Sequence, residues 1–331
     1  MRNKNAGIIG AGHYIPNKIQ TNEELCELIP ELSVEWILNK TGIKKRHHVS
    51  DNETASSIAV KACENAFHNS KVLPEEVDLV IVASFSQDYL FPPLSAKIHL
   101  DFNLKKNCQI IDINTNCAGL VTALTIASER ILCDLTINKA LVIGVEVMSK
   151  YTSPTDRDTA VFFSDGASAT ILGRVKNKLG FKSANFMTDS STYESVRLRG
   201  GGSSYPIAKI FSDPKILYVE HNGLATWKQA ITNLPTVIYK VVENESLKIE
   251  EIDFFIFHQA NKFLIEYLMK KMKIPLSKTY INVTEIGNTG SASIGIALSE
   301  AYSKGLIVKN SNLLIAGVGA GFNFGACIFK I

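Results

Sequence analysis

No apolar run in this 331-residue chain approaches the roughly 18 residues needed to cross a bilayer, which argues against a membrane span. The first residues, Met1-Arg2-Asn3-Lys4-Asn5, open no signal-peptide core, so a cytoplasmic location is expected. The formal net charge is only +3, too little to suggest a nucleic-acid partner. Cysteine is sparse and scattered, at 26, 63, 108, 117, 133 and 327. There is no CxxC and no His/Cys cluster at zinc spacing, which excludes a zinc module and fits a reduced compartment. Low-complexity tracts and long linkers are absent as well. What remains is a composition 46% hydrophobic and 20% charged, ordinary for a globular chain with a well-filled core.

Short apolar runs alternate with helical patterns. Strands are expected at Ala6–Gly10, Leu79–Ser84, Cys108–Ile113, Leu141–Gly144, Ala167–Leu172, Phe254–Phe257, Leu313–Gly317 and Gly325–Lys330. Helices are expected at Thr54–Asn69, Ser95–Leu100, Gly119–Leu132, Trp227–Asn244, Lys262–Met272 and Ser293–Gly305. This alternation predicts an α/β fold with buried strands. Three echoes run through it. "VDLVIVASF" from Val77 returns as "IDFFIFHQA" from Ile252, "LVIGVE" from Leu141 as "LIAGVG" from Leu314, and Ala123-Leu124 as Ala297-Leu298. Their offsets are nearly equal, which predicts two duplicated halves, 1–174 and 175–331. Residues 183–218, with "RLRGGGSSYP", fit neither half and read as an inserted excursion rich in Gly, Ser and Pro.

Four stretches carry chemistry. In "DINTNCAGLV", Cys117 stands where a strand gives way to a helix. The unpaired N–H groups of a helix start favour a thiolate, whereas an ordinary free cysteine is a small buried apolar residue. In "FFIFHQANKF", His258 ends a buried strand, placed either to act in a crevice or to sit satisfied in the core. In "EIGNTGSASIGIAL", the amide of Asn288 lies in a small-residue loop that opens a helix; it is a cap, or a donor to a substrate oxygen. In "AGVGAGFNFGA", glycines let the backbone approach closely, so its N–H groups suit an oxyanion. A dinucleotide loop does not fit there, because no helix follows.

In order and content, "EWILNKTGIKKRHH" (35–48), "FP" (91–92), "NCAGL" (116–120), "PTDR" (154–157), "SDGASA" (164–169), "HQAN" (258–261), "GNTGSAS" (287–293) and "GAGFNFG" (319–325) resemble the β-ketoacyl-acyl-carrier-protein synthase III family of thiolase-fold condensing enzymes. The resemblance covers nearly the whole chain. It implies a five-layered αβαβα fold of two similar halves. It also implies a catalytic set of Cys117, His258 and Asn288, with the backbone N–H groups of Cys117 and Ala320 as oxyanion donors. Acyl-CoA would load Cys117, and malonyl-carrier protein would then be condensed with loss of CO2 to a 3-oxoacyl product, with no metal or prosthetic group. Trp36 and Arg157 match an adenine clamp, and Thr41 matches a CoA contact. Phe91 matches a residue that enters the acyl pocket of the other subunit in a homodimer. Lys228, Lys262, Lys270 and Lys271 match the carrier-docking region.

The chain departs from the family in places. Lys262-Phe263 follows HQAN where the family has an apolar residue and then arginine, Leu224 takes the place of a pantetheine-contacting asparagine, and Ala320 replaces a glycine. With the 183–218 excursion, these departures point to a specialised acyl pathway beside bulk fatty acid synthesis. Two rivals stand against condensation. One is an acyltransferase that hands the acyl group to an alcohol or amine with His258 as base. The other is a catalytically idle subunit. Cys327 lies past the glycine loop, so a core role is expected for it and not that of a thiolase's second cysteine.

Overall fold

The computed structural model describes residues 4–176, 178–208 and 213–331. In chain order the elements are β1 (Lys4–Tyr14), β2 (Lys18–Thr21), α1 (Asn22–Leu28), α2 (Val34–Thr41), β3 (Lys45–His48), α3 (Ala55–Ser70), β4 (Leu79–Ala83), α4 (Leu94–Asp101), β5 (Gln109–Ile113), α5 (Gly119–Cys133), β6 (Lys139–Val147), β7 (Asp165–Lys176) and β8 (Gly180–Thr188). They continue with β9 (Val196–Arg197), β10 (Glu220–His221), α6 (Gly223–Asn244), β11 (Phe254–Phe257), α7 (Lys262–Lys271), α8 (Val283–Ile286), α9 (Ser293–Ser303), β12 (Asn312–Gly319) and β13 (Asn323–Lys330).

Two sheets carry the fold. One is ordered β1-β7-β6-β4-β5 and the other β8-β13-β12-β11. In the first, β4 runs parallel to β5 and β6, while β7 is antiparallel to β6 and β1. In the second, β11 is parallel to β12, and β13 is antiparallel to β12 and β8. The four-strand pattern is thus the same in both sheets, the structural form of the sequence echoes.

The strands read as unbroken apolar runs because both their faces are covered. Alternate side chains go to different cores. Leu79, Ile81 and Ala83 of β4 and Phe254 and Ile256 of β11 point into a central layer filled by α5 and α9. Val80 and Val82 meet α3 and α4 on one outer side, and Phe255 and Phe257 meet α6 and α7 on the other. Helix, sheet, helix, sheet, helix is the αβαβα order expected.

Every strand and helix anticipated from the sequence is present, with ends displaced by a few residues. Helix α6 begins at Gly223, four residues early, because Asn222 caps it by accepting from the Ala225 N–H. The 183–218 excursion needs correcting at its start. Residues 183–188 lie in β8, the edge strand that closes the second sheet as β1 closes the first. Lys182, Ser183 and Asn185 break its apolar pattern because only part of an edge strand is buried. Residues 209–212 of that excursion lie outside the described residues. The sequence reading also missed α1, α2 and the β2–β3 ribbon. α1 and α2 are short, and β2 and β3 are polar strands with no apolar period.

Candidate functional site

Cys117 sits in a single 3₁₀ turn, Asn116–Ala118, between β5 and α5. Asn116 takes φ 52°, a left-handed conformation that asparagine tolerates better than most residues. Gly319, at the end of β12, lies directly on this turn: a Cβ there would stand 2.4 Å from the Thr115 carbonyl oxygen and 3.0 Å from the Ala118 nitrogen. Only glycine lets β12 deliver the 319–323 loop, and with it Ala320, beside Cys117. Asn323 ties the loop by donating to the Ala320 carbonyl at 3.2 Å.

Desolvation pushes the Cys117 thiol up, against the thiolate that a helix start favours, and a charge on Glu146 would push it further the same way.

His258 follows β11 and is almost fully buried, 5% exposed. Its backbone N–H donates to the Ala316 carbonyl at 2.9 Å, which continues the β11–β12 ladder. Its Nδ1 is 2.7 Å from Ser293 Oγ, which also accepts from the Gln259 N–H at 3.2 Å. Burial drives the imidazole down to about 4, so the ring is neutral near pH 7. Asn261, three residues on, caps α7 by accepting from the Leu264 N–H at 2.9 Å. "HQAN" therefore codes a strand end, a ring and a helix start in one stretch.

Asn288 precedes a second 3₁₀ turn, Gly290–Ala292, which leads into α9. The Asn288 N–H donates to the Phe162 carbonyl at 2.9 Å, and its own carbonyl accepts from the Ser164 N–H at 2.9 Å. The side-chain Oδ1 accepts from the Gly290 N–H at 3.0 Å. The acceptor end of the amide is thereby occupied, and its Nδ2–H groups are left to donate. The two 3₁₀ turns are neighbours: a Cβ on Gly119 would lie 3.7 Å from Ser291 Cβ. Cys117 thus stands beyond β5, His258 beyond β11 and Ala320 beyond β12, with Asn288 at the head of the turn into α9; the Cys117 turn lies against both Gly319 and Ser291, and Ser293 of α9 holds His258.

Farther out, the Arg157 guanidinium lies over the Trp36 ring, 4.6 Å from its centroid. The pair stacks directly, so a flat ring inserted between them requires the guanidinium to swing outward. Thr41 corrects an expectation. It is fully buried, its Oγ1 donates to the Ile37 carbonyl and accepts from the Ile43 N–H, and it offers no surface to CoA. Its work is to finish α2. Phe91 is 83% exposed, among exposed Tyr89, Leu90 and Leu100. Lys228, Lys270 and Lys271 are exposed on α6 and α7, which Trp227 and Tyr267 join edge to face. Lys262 differs from them. It lies against Gly42 at the end of α2 and pairs with Glu266 at 3.5 Å. Cys327 is fully buried in the central layer, as expected for a core residue.

Two supporting residues escaped the sequence reading. Ser293 holds the His258 ring, yet in sequence it is one serine among small residues. Glu146 carried a legible signal, a lone carboxylate inside the apolar strand "ALVIGVEVM". Among the described residues no cluster of His, Cys, Asp and Glu is arranged for a metal ion, and no helix is long and apolar enough to cross a membrane. A wide groove between β8 and α6, lined by Phe186, Met187, Tyr239 and Leu247, involves none of the candidate site residues.

Comparison with known proteins agrees with this geometry. The family described as 3-oxoacyl-[acyl-carrier-protein] synthase III matches residues 111–190, and its C-terminal counterpart matches residues 242–331. A β-ketoacyl-[acyl-carrier-protein] synthase III of Fusobacterium nucleatum is 35% identical over 324 residues, 98% of each chain. One from Clostridium perfringens strain 13 is 37% identical over 331 residues, covering 99% of this chain and 100% of the relative. The solved 3-oxoacyl-[acyl-carrier-protein] synthase III of Aquifex aeolicus superposes with a TM-score of 0.90 at 31% identity, over 98% of this chain and 100% of that one. Full-length similarity at this level, on the thiolase-like fold that the resemblance implied, makes the chain a member of the 3-oxoacyl-[acyl-carrier-protein] synthase III family, enzymes of the transferase class.

Proposed function

We propose that this protein condenses an acyl group taken from acyl-CoA with malonyl-acyl carrier protein, through an acyl-enzyme on Cys117. The sulfur attacks the thioester carbonyl, the S–acyl bond forms, and CoA leaves with the thiol proton. The N–H groups of Cys117 and Ala320 stabilise the tetrahedral oxyanion. Malonyl-carrier protein then enters. Its carboxyl carbon leaves as CO2, and the electron pair becomes an enolate whose oxygen accepts from His258 Nε2–H and Asn288 Nδ2–H. The enolate carbon attacks the acyl carbon and expels the Cys117 sulfur as a thiolate, which takes a proton from water. Neither step needs a metal or prosthetic group.

The observation that carries this reading is the pair of donors. With the Ser293 hydroxyl donating to Nδ1, the neutral, buried imidazole carries its proton on Nε2, which is then the donor. An amide whose Oδ1 is taken up by Gly290 leaves Nδ2 to donate. The same facts disfavour the acyltransferase alternative, because a ring held down to about 4 is a poor base for an alcohol or amine. The names of the relatives point the same way. Stacked Trp36 and Arg157 support CoA as first donor. The exposed lysines of α6 and α7 support an acidic carrier, and the apolar Tyr89–Phe91 patch supports a second copy of the chain as partner. The matched sheets support duplicated halves meeting near residue 175.

Intact-protein mass after incubation with a panel of acyl-CoAs, for wild type and Cys117→Ala, followed by a malonyl-carrier-protein chase, tests the proposal. A wild-type-only adduct that the chase turns into 3-oxoacyl product is the expected result. An adduct that survives the chase, or none with any acyl-CoA, overturns it.

A further inference from the structure

Glu146, near the end of β6, is fully buried, and among the described residues no cation pairs with it. Its contacts allow its proton to be counted. Ser86 Oγ accepts from the Val147 N–H at 2.8 Å, so its own proton is directed to Glu146 Oε2, 2.5 Å away. The Phe85 N–H straddles both carboxyl oxygens at 3.3 and 3.4 Å. Oε1 faces Ser291 Oγ at 2.6 Å, and the same Ser291 Oγ faces the Ala83 carbonyl at 2.8 Å. A hydroxyl has one proton, and a carbonyl can only accept. With an ionised carboxylate, one of those two short contacts would set oxygen lone pairs against each other in a buried place. With a proton on Oε1 the bonds run in one direction, from Glu146 to Ser291 to the Ala83 carbonyl, and every group is satisfied.

We propose that Glu146 is a neutral carboxylic acid in the working enzyme and a positioning residue for the turn that links Asn288 to Ser293. Ser291 lies on that turn, between the residue that bears one donor and the residue that holds the His258 ring. The contact is tight, since a Cβ on Gly290 would stand 2.7 Å from Glu146 Cγ. Neutrality has a second consequence. Among the described residues, a negative charge on Glu146 pushes up the titratable side chains of Cys117 and Tyr151. The remaining groups around it, Phe85, Ser86, Gly290 and Ser291, are uncharged. Held neutral, Glu146 spares the thiolate and the oxyanion a like charge at close range. Burial supports this state by pushing the carboxyl up to about 8. That Cys117 is the nucleophile rests on the function proposed above; the protonation of Glu146 does not.

The test compares full-length wild type with Glu146→Gln, whose amide reproduces the donor and acceptor pattern of the neutral acid. Difference infrared spectra of the two proteins are recorded as pH is raised from 6 to about 9. Alkylation of Cys117 by iodoacetamide is timed by intact mass over the same range. A carbonyl stretch of a protonated acid, present in wild type at neutral pH, missing from E146Q and fading as pH rises, is expected. The ratio of E146Q to wild-type alkylation rates should rise about fivefold or more across the range, as wild type gains a charge that E146Q cannot. No acid band at neutral pH, or a flat ratio, overturns the proposal. If E146Q does not fold, the wild-type band is titrated alone and compared with Ser291→Ala, which must shift its frequency. Iodoacetamide reads the thiolate without acyl-CoA. A wild type that alkylates as expected but takes no acyl group therefore sinks the function proposal and leaves this one standing.

Discussion

At the residue scale the site works by filling one end of each polar side chain so that the other end is free. Ser293 occupies His258 Nδ1, and the Gly290 N–H occupies Asn288 Oδ1. Replacing His258 or Asn288 by alanine should slow decarboxylation of malonyl-carrier protein about 10²–10³-fold, while the rate of acyl loading on Cys117 changes far less. Stopped-time mass spectrometry separates the two steps, and equal losses in both would contradict the division of labour. Ser293→Ala should cut the decarboxylation rate too, because the ring loses its anchor while remaining present. With the imidazole held near 4, the ring keeps one protonation state from pH 7 down to about 5, so decarboxylation should show no break near 6.5, where an unperturbed histidine would titrate. A pH–rate profile of the half-reaction decides this. These supports were hard to see in the sequence. His258 was legible as a ring after four apolar residues, but the serine that holds it lies 35 positions away and looks like its neighbours.

At the element scale two devices deliver the groups. Gly319 lets β12 rest on the Cys117 turn, and Asn261 starts α7 immediately after His258. Gly319→Ala places a Cβ against the Thr115 carbonyl, so one of the two backbones must shift. Loading of Cys117 by acyl-CoA should fall at least tenfold, while the circular-dichroism spectrum is retained; an unchanged loading rate would show that the turn can give way. Asn261→Ala should cost about 1 kcal/mol in a denaturant melt, the worth of one N-cap. The principal strands and helices were legible because both faces of each sheet are covered and the apolar runs are long. β8, β2 and β3 were not, since edge and ribbon strands keep polar side chains where water reaches them.

At the scale of the whole molecule, two buried titratable groups, His258 and Glu146, and the half-buried His48 set opposing slopes of stability with pH. His48 and His258 are both held down to about 4. Between about 4 and 6.5 the unfolded chain binds more protons at these positions than the folded one, so they make stability fall as pH drops through that window. Glu146 is pushed up to about 8. Between its ordinary value near 4.5 and about 8 the folded chain holds a proton that the unfolded chain has lost, so Glu146 makes stability fall as pH rises. Above pH 6.5 only the carboxyl, of these three, still acts. Melting temperatures taken from pH 6.5 to 8 should therefore decline less steeply for E146Q than for wild type, and parallel curves would remove Glu146 from the balance.

The sequence by itself determined the α/β alternation, the repeat behind its two matched sheets, the strand-end positions of Cys117 and His258 and the helix-opening loop of Asn288, because burial period and turn chemistry are local and leave their mark in order along the chain. Only the tertiary structure decided the charge states and the spare hydrogen-bonding ends. It pushed the Cys117 thiol up by desolvation, withdrew Thr41 from the surface, turned Lys262 toward Gly42, and placed Glu146 between two serines 205 positions apart, Ser86 and Ser291. Desolvation and hydrogen-bond pairing depend on which distant segments meet, and no window of sequence contains both partners.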